Sequence, residues 1–120
     1  MTKTVLITED ERILRVMMAE AMEEQGLNVL QAENGAEAIK IMETQKPDLL
    51  LVDLLMPKVD GYGVLQYVRD KKYKFPIVVL SNLSDPTEEK RCLKLGAKEF
   101  IIKSDLDEGD LWGRVKKYLK

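Results

Sequence analysis

The stretch LLLVDLLMPKVDG, residues 49–61, decides the fold. It opens as an apolar run suited to a strand buried on both faces, then ends in a carboxylate, Asp53, and a turn containing Pro57 and Gly61. Four more short apolar runs share this character: residues 4–8 (TVLIT), 27–32 (LNVLQA), 76–81 (PIVVLS) and 99–102 (EFII), beside 48–53 (DLLLVD) itself. Most are bounded by Gly, Pro or Asp, as buried strands are. Between them apolar residues recur at helical spacing: Ile13, Leu14, Met17, Met18, Ala21 and Met22; Ile39 and Met42; Val64, Leu65 and Val68; Leu111, Val115 and Leu119. Each strand is thus followed by a helix.

Helix starts and stops fit that alternation. Asn34 to Glu37, Asp85 to Glu88 and Asp105 to Glu108 each set an Asx residue three before a Glu, the capping-box pattern, and Pro86 sits where a first-turn proline belongs. Gly26 and Gly96 follow helical stretches and offer left-handed C′ positions. The expected fold is α/β: a doubly wound, five-stranded parallel (βα)5 sheet with right-handed crossovers and helices on both faces. Neither a repeat nor a linker is evident, so residues 1–120 are expected to be a single domain.

Composition narrows the function. The net charge of −2 favours neither wholesale nucleic-acid binding nor an anionic membrane, and no apolar run is long enough to span one. With no secretion signal at residues 1–10, the cytoplasm is the expected location. Cys92 is the single cysteine and histidine is absent, so an internal disulfide, a Cys/His zinc site and a histidine-based triad are all excluded. Cys92 reads as packing.

In doubly wound sheets ligands collect beyond the carboxyl ends of the strands, where strand order reverses. The first strand here ends in Glu9 and Asp10, the third in Asp53, the fourth in Ser81 and Asn82, and the fifth in Lys103. Singly, each has a simpler reading as a helix cap, a turn residue or a solvated lysine. Together they do not, because unpaired carboxylates buried near one point cost several kcal/mol each, at roughly the order of magnitude known for buried ions. A cation is expected, and oxygen-only donors suit Mg²⁺ better than Ca²⁺. A carboxylate nucleophile beside Mg²⁺, with a lysine and a hydroxyl for anionic oxygens, is equipment for forming an acyl phosphate on Asp53.

These residues resemble a response-regulator receiver domain of two-component signalling, similar in extent to the stand-alone chemotaxis type. The acidic pair Glu9-Asp10, the D-x-x-M-P-x-x-D-G segment from Asp53 to Gly61, the Ser81 hydroxyl and the aromatic-x-x-Lys from Phe100 to Lys103 bear the likeness in order and spacing. GAKEFIIK, residues 96–103, adds the Gly-Ala lead-in. The resemblance implies a flavodoxin-like sheet in the order 2-1-3-4-5. It implies that Asp53 accepts a phosphoryl group from a phosphohistidine on a histidine kinase or histidine phosphotransfer protein. Mg²⁺ would be held by Asp10, Asp53 and the backbone carbonyl of Leu55, with Glu9 acting through water. Lys103 would pair with the phosphoryl oxygens, Ser81 would donate to one of them, and Phe100 would be the switch aromatic. Asp60 would cap the third helix.

Output is then expected on the face of the fourth helix (86–95), fifth strand (99–102) and fifth helix (106–120), toward a downstream protein and not nucleic acid or membrane. No effector domain is expected after the fifth helix, so homodimerisation on phosphorylation is one expected route, with phosphorelay and adaptor binding as others. Arg91, Lys94, Lys98, Arg114, Lys116, Lys117 and Lys120 make this half basic against Glu11, Glu20, Glu23 and Glu24 of the first helix, although two solvated faces is the simpler reading. Trp112 and Tyr118 are candidate anchors, with core packing the commoner fate of helix-spaced aromatics.

Three departures stand out. Ser104 replaces the family's usual proline after the lysine, and Asn82 replaces a small residue after the hydroxyl, where it either narrows the entrance to Asp53 or bonds the phosphoryl group. Leu55 and Leu83 are apolar where the family flanks the attacking water, so slow self-dephosphorylation is expected. A dehalogenase-type phosphatase would need a second Asp where Leu55 stands. The remaining rival is a receiver-fold interaction module that works without phosphorylation.

Overall fold

The computed structural model describes residues 2–82, 85–106 and 110–119. Strands β1 (Thr4–Thr8), β2 (Asn28–Ala32), β3 (Leu49–Asp53), β4 (Ile77–Ser81) and β5 (Glu99–Ile102) pair in parallel in the order β2-β1-β3-β4-β5. Helices α1 (Arg12–Glu23), α2 (Gly35–Thr44), α3 (Gly61–Asp70), α4 (Pro86–Lys94) and α5 (Asp110–Val115) follow the strands in turn. The sequence-derived strands are reproduced to within one residue at each end. This is the flavodoxin-like, doubly wound fold expected.

Strand alternation splits the core into two layers. Leu6, Leu50, Val52, Ile77, Val79 and Phe100 point to one side, against Ala38 and Met42 of α2, Val64, Leu65 and Val68 of α3, and Cys92 of α4. Val5, Ile7, Leu49, Leu51, Val78, Leu80 and Ile101 point to the other, against Met18, Ala19 and Met22 of α1 and Leu111 and Val115 of α5. All five residues of β3 are buried, so the apolar run 49–52 is the centre of the molecule. Truncating any of its leucines to alanine removes about 2 to 5 kcal/mol.

Caps set the helix entries. Asn34 Oδ1 accepts the Glu37 N–H at 2.8 Å, and Asp60 Oδ1 accepts the Gly63 N–H at 2.9 Å. Asp85 differs from its expected box: its side chain accepts the Thr87 N–H at 2.8 Å, and Glu88 Oε2 has no hydrogen-bond partner, so this is a simple N-cap ahead of Pro86. Gly26 (φ +83°) and Gly96 (φ +107°) take the left-handed backbone expected of them.

The helix-spaced apolar set of α1 is divided between core and solvent, with Ile13 and Met17 73% and 50% exposed. At about 100° per residue, they share a stripe beside the one formed by Met18 and Met22. The fifth helix does not begin at 106: Lys103–Asp105 forms a 3-10 turn, Leu106 is extended, and the α-helix proper runs Asp110–Val115 before tightening into 3-10 geometry over Lys116–Leu119. The capping pattern at 105–108 lies partly outside the described residues.

Candidate functional site

Glu9, Asp53 and Lys103 each continue the alternation of residues that face α1 and α5: Val5 and Ile7, Leu49 and Leu51, and Ile101. Strands β1, β3 and β5, the last separated from β3 by β4, therefore deliver them to the same side at the carboxyl ends of the sheet. Lys103 Nζ lies 2.6 Å from Glu9 Oε1 and 3.1 Å from Asp53 Oδ2. The other Glu9 oxygen accepts the Glu11 N–H at 3.1 Å, so this carboxylate also closes the turn into α1. Glu9 and Asp53 are buried, 1% and 6% exposed, while Asp10 is open to solvent. One carboxylate oxygen from each of Glu9, Asp10 and Asp53 lies within 4.8 Å of the others.

The electrostatics follow from one ammonium serving this group. Burial raises the Glu9 carboxyl from 4.5 to about 7, with the Lys103 hydrogen bond only partly offsetting it and the Asp53 charge adding to the rise. Burial likewise pushes Asp53 up, against the pull of Lys103. Burial alone would lower Lys103, but the hydrogen bond to Glu9 and the Asp53 charge hold it above its ordinary value. The cluster is short of positive charge. Hard oxygen donors in that state fit a divalent ion of the Mg²⁺ type, the donor set that Glu9, Asp10 and Asp53 provide.

The β3–α3 turn is tied to the acceptor strand. Gly61 N–H donates to the Leu54 carbonyl at 2.9 Å, and a Cβ at Gly61 would lie 2.6 Å from the Asp53 carbonyl oxygen. Only glycine permits that approach. Leu55, in this turn, is 59% exposed. Ser81 is fully buried and stands opposite Ile102 in the β4–β5 register. Phe100 is 9% exposed and packs in the layer beneath α2, α3 and α4, away from the Lys103 side. Asn82 and Ser104 are exposed, and Leu83 lies outside the described residues. Among the described residues no peptide bond is cis.

The expected output face is partly self-satisfied. Glu99 accepts from Arg114 Nη2 at 2.8 Å and from Tyr118 Oη at 2.6 Å, with Lys117 Nζ at 3.5 Å. Arg91 stacks 3.8 Å from the Tyr62 ring centroid. Trp112 and Tyr118 pack, partly buried, on the α1/α5 core layer, and Lys120 lies outside the described residues. Cys92 is buried and its thiol is pushed up to about 11, chiefly by burial, which fits packing and not redox chemistry.

Sequence reasoning missed one contact at the site. Arg15 of α1 donates from Nη1 to the Glu9 carbonyl at 3.0 Å and from Nε to Gln31 Oε1 of β2 at 3.2 Å. Periodicity offered no signal, since a lone arginine between apolar helix positions reads as solvated.

A family model described as the response regulator receiver domain matches residues 5–116, and the chain belongs to that family. The chain is 33% identical over 120 residues to the alkaline phosphatase synthesis transcriptional regulatory protein PhoP of Bacillus subtilis (strain 168), covering all of this chain and 50% of the relative. It thus spans about half the length of that protein. Among solved structures, the receiver domain of the Francisella response regulator 1452 superposes with a TM-score of 0.90 at 26% identity, covering 98% of this chain and 96% of that one. A chain of the CheX-CheY-BeF3-Mg+2 complex from Borrelia burgdorferi gives a TM-score of 0.90 at 27% identity, covering 98% and 90%. Receiver domains are signalling modules, and membership supports a phosphoacceptor role in two-component signalling. No helix among the described residues is long and apolar enough to cross a membrane.

Proposed function

We propose that Asp53 is the phosphoacceptor, taking a phosphoryl group from a phosphohistidine on a histidine kinase or histidine phosphotransfer protein in a Mg²⁺-dependent reaction. The observation that carries this is the placement of Lys103 Nζ 3.1 Å from Asp53 Oδ2, inside a cluster of three carboxylates with too little positive charge. A carboxylate oxygen of Asp53 forms the new O–P bond as the P–N bond breaks, and the imidazole nitrogen leaves with the bonding pair. Such transfer needs charge neutralisation on the equatorial oxygens more than an acid or base, so the lack of histidine is no obstacle. Asp10 and Asp53, with the Leu55 carbonyl and Glu9 through water, would hold Mg²⁺, which supplies part of that neutralisation when bound. The Borrelia complex contains Mg²⁺ and the phosphoryl-like BeF3, consistent with this chemistry on the same fold.

Lys103 supplies the rest. Phosphorylation adds about −1.5 to −2 charge and three acceptor oxygens beside it. Lys103 then shifts its hydrogen bonds from Glu9 toward the phosphoryl group, Ser81 donates to another oxygen, and Phe100 reorients. Moving a two-state element from 1:99 to 99:1 takes about 5.5 kcal/mol, which two or three charge-assisted hydrogen bonds of roughly 1.5 to 3 kcal/mol each can supply. The α4–β5–α5 face passes the change to a partner protein, or to a second copy of the chain. Exposed, apolar Leu55 favours a phospho-form lasting minutes or longer, and a lifetime of seconds would contradict that.

Incubation with acetyl phosphate and Mg²⁺ followed by intact-mass spectrometry tests the reading. The expected result is one phosphoryl adduct, absent in Asp53→Asn and absent with chelator. No adduct, or one that survives Asp53→Asn, overturns it in favour of an interaction module independent of phosphorylation. Turnover of a generic phosphomonoester would instead indicate a phosphatase.

A further inference from the structure

Asp10 is the one exposed member of the carboxylate cluster, and among the described residues its side chain has no hydrogen bond. The region its carboxylate can reach is therefore set by the backbone on which it is rooted. The peptide joining Glu9 to Asp10 is pinned by the Arg15 bond to the Glu9 carbonyl at 3.0 Å, while the Glu9 N–H is held by the Ala32 carbonyl at 3.0 Å. Arg15 is itself steadied by Gln31 at 3.2 Å, so a brace runs from edge strand β2 across α1 to the peptide that presents Asp10.

We infer that Arg15 is a positioning residue for the metal site: it fixes the Glu9–Asp10 peptide plane so that the Asp10 carboxylate meets a divalent cation already aimed. This rests on the Mg²⁺-dependent reading above. Two physical effects of Arg15 oppose each other here, which makes the inference testable by sign. A guanidinium beside the site repels an incoming cation, so electrostatics alone makes its removal tighten Mg²⁺ binding. Loss of the brace frees Asp10 and weakens binding, as loss of outer contacts to metal ligands generally does.

The test is calorimetric titration of the unphosphorylated chain with MgCl₂. Arg15→Ala is expected to weaken Mg²⁺ binding about tenfold. Arg15→Lys, which keeps the charge and one donor toward the Glu9 carbonyl, should recover most of the affinity. Gln31→Leu, at an exposed position remote from the core, should show a smaller loss of the same sign even if Arg15→Ala folds poorly. Thermal melting without Mg²⁺ separates a general loss of stability from a change at the site. Unchanged or tighter binding in Arg15→Ala and Gln31→Leu overturns the inference and leaves the metal reading standing. Failure of the unsubstituted chain to bind Mg²⁺ overturns both.

Discussion

Two clusters at opposite ends of the strands each set a partly or fully buried glutamate against cationic side chains, and they reach opposite balances. At the carboxyl edge, Glu9 and Asp53 share one ammonium, Lys103, with Asp10 adjoining, and burial pushes both buried carboxyls up. At the amino end of β5, Glu99 alone is served by Arg114, Lys117 and the Tyr118 hydroxyl. Burial would raise its pKa, but these partners outweigh it and hold Glu99 below its ordinary value. The Glu99 cluster is complete and staples α5 to β5. The Glu9–Asp53 cluster carries more acid than the Lys103 ammonium balances, the arrangement that the proposed divalent ion would relieve.

The largest effect expected from this contrast comes from Lys103→Met. Removing the ammonium that Glu9 and Asp53 share strands two buried carboxylates, at a cost of about 3 to 5 kcal/mol near pH 8. Denaturant melts should show that loss shrinking at pH 5 or on adding Mg²⁺; a loss indifferent to both would mean that the lysine matters through packing. Next, saturating Mg²⁺ should stabilise the unsubstituted chain by about 2.7 kcal/mol at a hundredfold excess over Kd. Glu99→Gln should leave that gain intact, whereas Asp10→Asn should reduce it.

The pH dependence should have opposite signs at the two ends. Glu9 is raised from 4.5 to about 7, so its contribution is fully present below pH 4.5 and is lost as pH rises through about 7. Glu99 is lowered from 4.5, so its contribution is present above pH 4.5 and is lost as pH falls through the lowered value. Without divalent ions, Glu9→Gln should flatten the rise in Tm between pH 8 and pH 5, and Glu99→Gln the fall under stronger acid. Matching slopes in the two variants would erase the distinction. Smaller still, Tyr118→Phe removes the 2.6 Å bond to Glu99 and should cost about 1 kcal/mol. Arg114→Ala, at a half-exposed pair, should cost about 0.5 kcal/mol. Neither is expected to alter phosphorylation by acetyl phosphate, measured by intact mass.

Much of the fold was legible because its signals are local. Continuous apolar runs such as 49–52 announce strands buried on both faces, and Asn34, Asp60, Gly26 and Gly96 mark helix ends through backbone chemistry that needs no distant partner. The start of the fifth helix differs because the Asp105-to-Glu108 spacing reads as a helix entry, while the backbone at Leu106 is extended. Ile13 and Met17 mark the limit of periodicity, which shows that a helix face is apolar but not how wide a stripe the sheet covers. The candidate site was legible as a set of residue types at strand ends.

By itself, then, the sequence determined the alternation of strands and helices, the edge at which polar groups gather, and the chemistry those groups can support. Only the tertiary structure decided who pairs with whom. Lys103 is 94 residues from Glu9 yet bonds it as well as Asp53, and Arg15 reaches the Glu9 carbonyl and Gln31 across a helix and an edge strand. The physical reason is range: propensity and periodicity act over a few residues, whereas the electrostatic balance of a buried carboxylate depends on every charge that folding brings within a few ångströms.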